Sequence, residues 1–395
     1  MAPMPCYLDH NATAPLLPAA RESMLDAMDR FCAQGANPSS PHRPGHEARL
    51  SLEASREEVA ALIGAPPRSV VFVSGGTEAD NMAVQGTARA WAAIHGGAGH
   101  VVASAIEHPA VLEPCRYLEA SGGALTLVGV DAEGRVQTGE MAAAIRPDTA
   151  LVSLMLANNE TGVMQPVAAV AAAARERGVT MHVDAVQAAG RLRVSVNALG
   201  ADLLAISAHK LGGPVGIGAL YVREGAPLRP LLFGGSQERR RRPGTEPVAL
   251  AAGFAAAARE AARLDRIPEI ARLRDRLERL VLARVPGAQV NGAGAERVVN
   301  TSSLTFPGVD NEALVIQMDL RGFAISTGSA CSSGSSRPSH VLEAMGLTVA
   351  EAKGTVRVSL GHGTTEAEVD ACAEALVVEA AARPDWRTAR WRPRG

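Results

Sequence analysis

The sequence predicts an α/β protein: a mostly parallel seven-stranded sheet flanked by helices, followed by a smaller α+β domain. Three observations carry this. Short β-branched runs alternate with Ala-rich helical stretches. Several of those runs are apolar throughout, as strands covered on both faces are. The alternation then stops after about residue 245.

In chain order, the strands are expected at Val70–Val73, Val101–Ser104, Leu125–Val130, Leu151–Leu156, Met181–Val183, Leu203–Ser207 and Ile217–Val222. Between many of them lie the helical segments Glu78–Ile94, Ala110–Ala120 and Val167–Arg177. A βαβ rhythm of this kind predicts parallel strands with helices on the faces. Beyond it, one long helical stretch is expected over roughly Pro247–Ala283. Strands near Asn300–Phe306 and Thr355–Leu360 and helices near Glu312–Leu320 and Thr364–Ala382 complete the second pattern. The expected division is a large domain over 16–250 and a small one made of 1–15 and 251–395, the N-terminal residues lying outside the βαβ run.

The 395 residues are 47% hydrophobic and 20% charged, ordinary for a folded globular chain with a large core. A formal net charge of -2 gives no general attraction to nucleic acid or to an acidic membrane. The five cysteines, Cys6, Cys32, Cys115, Cys331 and Cys372, are too scattered for a disulfide scaffold, and no C-x-x-C pair suggests a metal site. A reduced, cytoplasmic setting is the expectation. Met1–His10 lacks a basic region followed by an apolar core, so no signal peptide is expected. No apolar run reaches the roughly 18 residues of a membrane span.

In parallel sheets, ligands sit beyond the carboxyl ends of the strands. The chemically interesting residues fall there. Only Lys210 and Lys353 are lysines among the 39 basic residues. Lys210 follows a buried strand in Ser207-Ala208-His209-Lys210-Leu211-Gly212-Gly213-Pro214. Desolvation there frees an amine for Schiff-base chemistry, against the plainer reading of a surface lysine. Asp184 ends another strand, with Gln187 three residues on. A carboxylate so placed can pair with a protonated pyridine nitrogen or cap a helix. Ser74-Gly75-Gly76-Thr77-Glu78 joins a strand to a helix and suits an anion, or is an ordinary turn capped by Thr77. His108 stands at a similar junction and is read as an acid–base group, a ring stacked on a cofactor or a structural histidine. Asn158-Asn159 reads first as a turn.

Cys331 lies in Ser326-Thr327-Gly328-Ser329-Ala330-Cys331-Ser332-Ser333-Gly334, a Gly/Ser-rich stretch that predicts a mobile loop and a reactive thiol. The other four cysteines read as inert packing residues. Arg239–Arg242, flanked by Glu238 and Glu246, reads as a solvated or interface charge run, since no interleaved aromatics support nucleic-acid binding. Arg357, on Val356-Arg357-Val358, suits a carboxylate clamp or a structural ion pair. The tail from Trp386 to Gly395 is basic and aromatic. It reads as a frayed end.

Taken in order, these motifs resemble the pyridoxal phosphate (PLP)-dependent cysteine desulfurases of the NifS/IscS type, among class V aminotransferase-like enzymes of fold type I. The likeness runs from Tyr7-Leu8-Asp9-His10-Asn11-Ala12-Thr13 through Glu107-His108, His182-Val183-Asp184 and Ser207-Ala208-His209-Lys210. It continues in Arg242-Pro243-Gly244-Thr245, Gly328-Ser329-Ala330-Cys331-Ser332 and Val356-Arg357-Val358-Ser359-Leu360-Gly361. The resemblance implies the PLP-dependent transferase fold and the conversion of L-cysteine to L-alanine, with sulfur passed to Cys331 as a persulfide. It implies that Lys210 holds PLP, that Asp184 meets its ring nitrogen and that Gln187 meets its phenolic oxygen. His108 would stack on the ring and move protons. Gly76, Thr77, Ser207 and His209 would hold the phosphate, and Thr245 the phosphate in the other subunit of a homodimer. Asn159 and Arg357 would orient the substrate carboxylate. A sulfur-acceptor protein, such as an iron–sulfur scaffold, would take the sulfur onward. The rival expectations are a selenocysteine lyase or another class V PLP enzyme. No metal, nucleic acid or membrane is implied.

Overall fold

A computed structural model describes residues 6–328 and 338–381. Among the described residues there are twelve strands: β1 (Cys6–Tyr7), β2 (Val70–Val73), β3 (His100–Ser104), β4 (Ala124–Val128), β5 (Thr149–Ser153), β6 (Thr180–Asp184), β7 (Leu203–Ser207), β8 (Gly218–Val222), β9 (Gln289–Val290), β10 (Thr301–Thr305), β11 (Phe323–Ala324) and β12 (Thr355–Ser359). Seven of them form one sheet in the order β2-β8-β7-β6-β5-β3-β4. β8 is antiparallel to both its neighbours, and the remaining pairs are parallel. β2, β3, β5, β6, β7 and β8 are buried along their whole length, the burial their uniform apolar runs require.

Two apolar clusters sandwich this sheet. One includes Val102, Val152, Val183, Leu204 and Phe254, and the other Val101, Leu151, Leu203 and the Gly76–His95 helix residues Met82 and Ala83. Adjacent residues of β2, β3, β5, β7 and β8 contribute to opposite clusters, the period-two alternation of a pleated strand. A third cluster gathers Leu8, Leu273, Leu277, Leu304, Phe306, Val356, Val358 and Leu376 around the three-stranded sheet β12-β10-β9. β1 pairs in parallel with β11 at this end of the molecule.

Two expected elements differ. The helical stretch over Pro247–Ala283 is two helices, Val248–Ala262 and Ile267–Leu282. The chain turns between them at Leu264, whose φ of 53° is left-handed. The expected strand Leu151–Leu156 leaves the ladder after Ser153. The Leu154 and Leu156 N–H groups still donate to the His182 and Asp184 carbonyls. This carries the chain past β6 toward Asn159. Cys32 corrects the reading of inert packing cysteines, since it is exposed; Cys115 and Cys372 are buried and Cys6 is half-buried.

Candidate active site

The carboxyl ends of β2, β3, β5, β6 and β7 converge on one cavity of about 360 Å³. Gly76, Thr77, His108, Asn159, Asp184, Gln187, Ser207, His209, Lys210 and Arg357 all line it. Thr245 is not among the residues that line it. Cys331 and the Trp386–Gly395 tail lie outside the described residues.

The anion-facing wall is built by local structure. The Gly76–His95 helix starts without a side-chain cap, its N-cap being Gly75, so Thr77 does not cap it. Its first turn faces the buried Ser207 hydroxyl, which has no hydrogen-bond partner among the described residues. A Cβ on Gly76 would approach Val186 Cγ2 to 2.9 Å and Ser207 Cβ to 3.6 Å. An anion held here meets a helix N-terminus and a spare hydroxyl. His209 Nδ1 lies 3.1 Å from Thr13 Oγ1.

Asp184 closes β6 with a fully enclosed carboxyl. Burial raises its pKa to about 6, against the Val186 N–H, which Asp184 Oδ1 accepts at 2.9 Å, and against the nearby Lys210 charge. The helix-cap reading is not met, because no helix starts after Asp184; the Val186 N–H bond closes a turn there instead. Gln187 Nε2 donates to the Asn11 carbonyl at 3.0 Å. Lys210 Nζ donates to the carbonyls of Asn11 at 2.6 Å and Ala12 at 2.8 Å. His108 caps the Pro109–Ala120 helix, its Nδ1 accepting from the Ala110 N–H at 3.1 Å. That bond places the proton of the neutral ring on Nε2. Burial first, then Lys210 and His340, lower its pKa to about 4.

Arg357 is 2% exposed and joins both halves of the site. It donates to Asp9 Oδ1 at 2.6 Å and to the Asn159 and Gly328 carbonyls at 3.0 Å, while its Nε has no partner among the described residues. The ion-pair reading is realised, and a donor remains over. Asn158 is the turn residue, its Oδ1 accepting from the Glu160 and Thr161 N–H groups. The Arg239–Arg242 run is held by acids: Arg242 reaches Glu78 Oε1 at 3.0 Å and Arg239 lies 3.7 Å from Glu53.

Sequence reasoning assigned no role to three buried groups beside the cavity. Asp80 lines it, with Oδ1 lying 3.4 Å from His182 Nε2 without hydrogen-bond geometry. Burial, then Asp184 and Glu107, push its pKa well above the usual carboxylate value. Glu107 accepts the Met155 N–H at 2.7 Å, and burial raises it to about 8. The available signal was an acid set among Ala79, Met82 and Ala83 in an otherwise apolar helix face. Among the described residues no cluster of His, Cys, Asp and Glu is arranged to hold a metal ion.

Residues 6–372 match the family model "Aminotransferase class-V". The chain is 43% identical over 368 residues to the cysteine desulfurase IscS of Dictyoglomus turgidum, covering 92% of this chain and 91% of that one. A solved NifS-like protein superposes with a TM-score of 0.86 at 34% identity, covering 96% of this chain and 100% of that chain. A structure described as SspA in complex with cysteine gives a TM-score of 0.78 at 34% identity, over 90% and 98% of the two chains.

Proposed function

This chain belongs to the class-V aminotransferase family, as one of its PLP-dependent cysteine desulfurases, and on that basis we propose how its residues divide the work. The observation that supports the assignment best is convergence. Residues from five strand ends, far apart in sequence, meet in a cavity of about 360 Å³ with the donors and the carboxylate that PLP needs.

The residues fit that cofactor on two counts. The unpartnered Ser207 hydroxyl and the uncapped helix start suit a phosphate. The enclosed Asp184 carboxyl gains most from a cationic N–H donor such as a protonated ring nitrogen. Lys210, Asp184, Gln187, His108, Gly76, Thr77, Ser207 and His209 hold the cofactor in this proposal. When bound, PLP supplies the electron sink that accepts charge from the substrate Cα.

The chain's own residues do the rest. Lys210 Nζ leaves the Asn11 and Ala12 carbonyls and moves the Cα proton. Asp184 keeps negative charge at the ring nitrogen. His108, neutral near pH 7, handles a proton at Nε2. Arg357 and Asn159 orient the carboxylate of L-cysteine. The Cys331 thiolate attacks the substrate sulfur: an S–S bond forms, the Cβ–S bond breaks, and its electron pair stays with the carbon skeleton. Protonation then yields L-alanine. Burial raises the Cys6 and Cys115 thiols to about 12, leaving them little thiolate for this task.

We further propose a homodimer, supported by Leu232 and Phe233, 53% and 87% exposed on the segment that precedes Thr245. A sulfur-acceptor protein, such as an iron–sulfur scaffold, and a cytoplasmic setting belong to the same proposal. No helix among the described residues is long and apolar enough to cross a membrane.

The test is mass spectrometry after incubation with L-cysteine under non-reducing conditions. The expected result is one added sulfur on the Cys331 peptide, removed by a thiol reductant. An unmodified Cys331 in a chain that carries PLP on Lys210 would overturn the persulfide assignment and turn attention to selenocysteine or amino-group transfer.

A further inference from the structure

A second cavity, of about 590 Å³, adjoins the first at Lys210, which lines both. Its size is within the range of small-molecule pockets, roughly 300–1,000 Å³. Leu17, Ile270 and Leu360 give it an apolar side, and Arg191 gives it a buried cation. Arg191 is 9% exposed. Its Nη1 donates to the Gln187 carbonyl at 2.8 Å and to Gln187 Oε1, and its Nη2 to the His10 carbonyl at 3.4 Å. All of these acceptors are neutral. Among the described residues no carboxylate lies within 4.0 Å of this guanidinium. A buried charge without a counter-charge is costly, and an anion in the cavity relieves that cost.

The other polar groups narrow the ligand. His10 and His362 both line the cavity, and burial holds both imidazoles toward neutrality, His10 at about 4. They are hydrogen-bonding groups there, not further cations. Glu368 also lines it and opposes a second negative charge. One anionic end, an apolar body and no second acid describe an amphipathic monocarboxylate.

We propose that this cavity binds such a monocarboxylate, with its carboxylate on Arg191 and its hydrocarbon part along Leu17, Ile270 and Leu360, and that Arg191 passes its occupancy to the catalytic cavity through Gln187. The second link is direct. The Gln187 side chain that Arg191 holds also bonds the Asn11 carbonyl, and that carbonyl accepts from Lys210. A carboxylate that draws Arg191 toward itself loosens Gln187 and changes the hydrogen bonding at the amine. This coupling rests on the assignment of Gln187 and Lys210 to PLP, whereas the binding does not.

The probe is decanoate, followed by calorimetry on the full chain with and without PLP. The expected result is saturable binding of one decanoate per chain. 1-Decanol, which lacks the charge, and sebacate, which carries a second one, should each bind at least about tenfold more weakly. Arg191→Gln should weaken decanoate by a similar factor. Gly363→Trp supplies an independent variant: Gly363 lines the cavity, and a Cβ there meets nothing within 4 Å, so an indole can be added at the cavity wall without displacing backbone. It too should weaken binding at least about tenfold. Decanoate should also move the pH midpoint of the PLP absorbance by about 0.3 unit or more in the native enzyme and not in Gly363→Trp. Absence of saturable binding, or binding that both variants leave intact, overturns the site. Binding without the spectral shift overturns the coupling. A chain that takes up no PLP sinks the cofactor assignment alone, because decanoate binding is still read on the cofactor-free protein.

Discussion

Asp184 and Glu107 are acids placed where charge is least welcome, and their pH behaviour is a consequence of that placement. Asp184 rises from 3.8 to about 6 and Glu107 from 4.5 to about 8, in both cases chiefly through burial. A carboxyl whose folded pKa exceeds its unfolded one holds more protons folded than unfolded between the two values. Stability therefore falls as pH rises through that window. These two carboxyls are each expected to withdraw stability from the cofactor-free protein as pH rises between about pH 4 and about pH 8, while the buried histidines His10, His108 and His209 act in the opposite direction below their ordinary pKa. Relative to the unsubstituted protein, Asp184→Asn should therefore gain stability with rising pH across the lower part of that window and Glu107→Gln across the upper part, read by thermal unfolding at each pH. Asp184→Asn should also cost PLP affinity at least about tenfold by absorbance titration, because a neutral amide no longer holds a proton on the ring nitrogen. His108 moves the other way. A ring with pKa of about 4 is neutral at pH 7, so His108→Gln should lower kcat while leaving PLP uptake measurable. Loss of PLP with unchanged kcat per bound cofactor would remove its proton-handling role.

Among the elements, the β2 turn and the helix after it are held by close backbone contact. A Cβ on Gly218 of β8 would come within 2.7–2.8 Å of the Gly75 backbone. Gly218→Ala is expected to cost about 1–3 kcal/mol of stability and to displace the phosphate-facing turn, measured by denaturant unfolding and PLP titration. A neighbouring device holds the segment before Thr245. Glu238, Arg239 and Arg240 have φ of 46°, 56° and 65°, a left-handed run that costs energy without glycine. Glu238 offsets it by accepting from Arg56 Nη1 at 2.7 Å and Nη2 at 2.9 Å and from the Phe72 N–H at 3.0 Å. Glu238→Gln leaves buried Arg56 with only the more exposed Glu53 carboxylate, at 3.2 Å, as counter-charge and should destabilise the fold by about 1–3 kcal/mol in denaturant unfolding. The sequence showed this segment only as a run of four arginines flanked by acids, because one buried acid beside arginines has no periodic signature.

At the scale of the molecule, the catalytic cavity draws on distant parts of the chain. Asn11 Nδ2 donates to Thr301 Oγ1 at 2.8 Å and to the Asn159 carbonyl at 3.0 Å, while Arg357 ties Asp9 to Asn159. The separate core around β10 and β12, which includes Leu8, supports assigning the N-terminal residues to the small domain. Ala251, Phe254 and Ala258 join the core under the large sheet instead, so the helix Val248–Ala262 sits with the large domain and the boundary proposed at 250 moves to the turn at Leu264. If Leu232 and Phe233 sit in a subunit interface, Leu232→Glu with Phe233→Glu should shift the protein to a monomer in sedimentation velocity. A persistent dimer would place the interface elsewhere.

Legible in the chain alone were the sheet, its strands to within a few residues, and the strand-end positions of His108, Asp184, Ser207 and Lys210. Apolar runs, helical periodicity and Gly-rich junctions are local signals, and a parallel sheet gathers the residues just past each strand along one edge. Asp80 beside His182, the neutral acceptors around Arg191 and the second cavity at Lys210 left no such mark, and neither did the break at Leu264. These come from the folded arrangement, because burial, counter-charge and enclosed space arise between segments that are remote in the chain, and no local pattern records them.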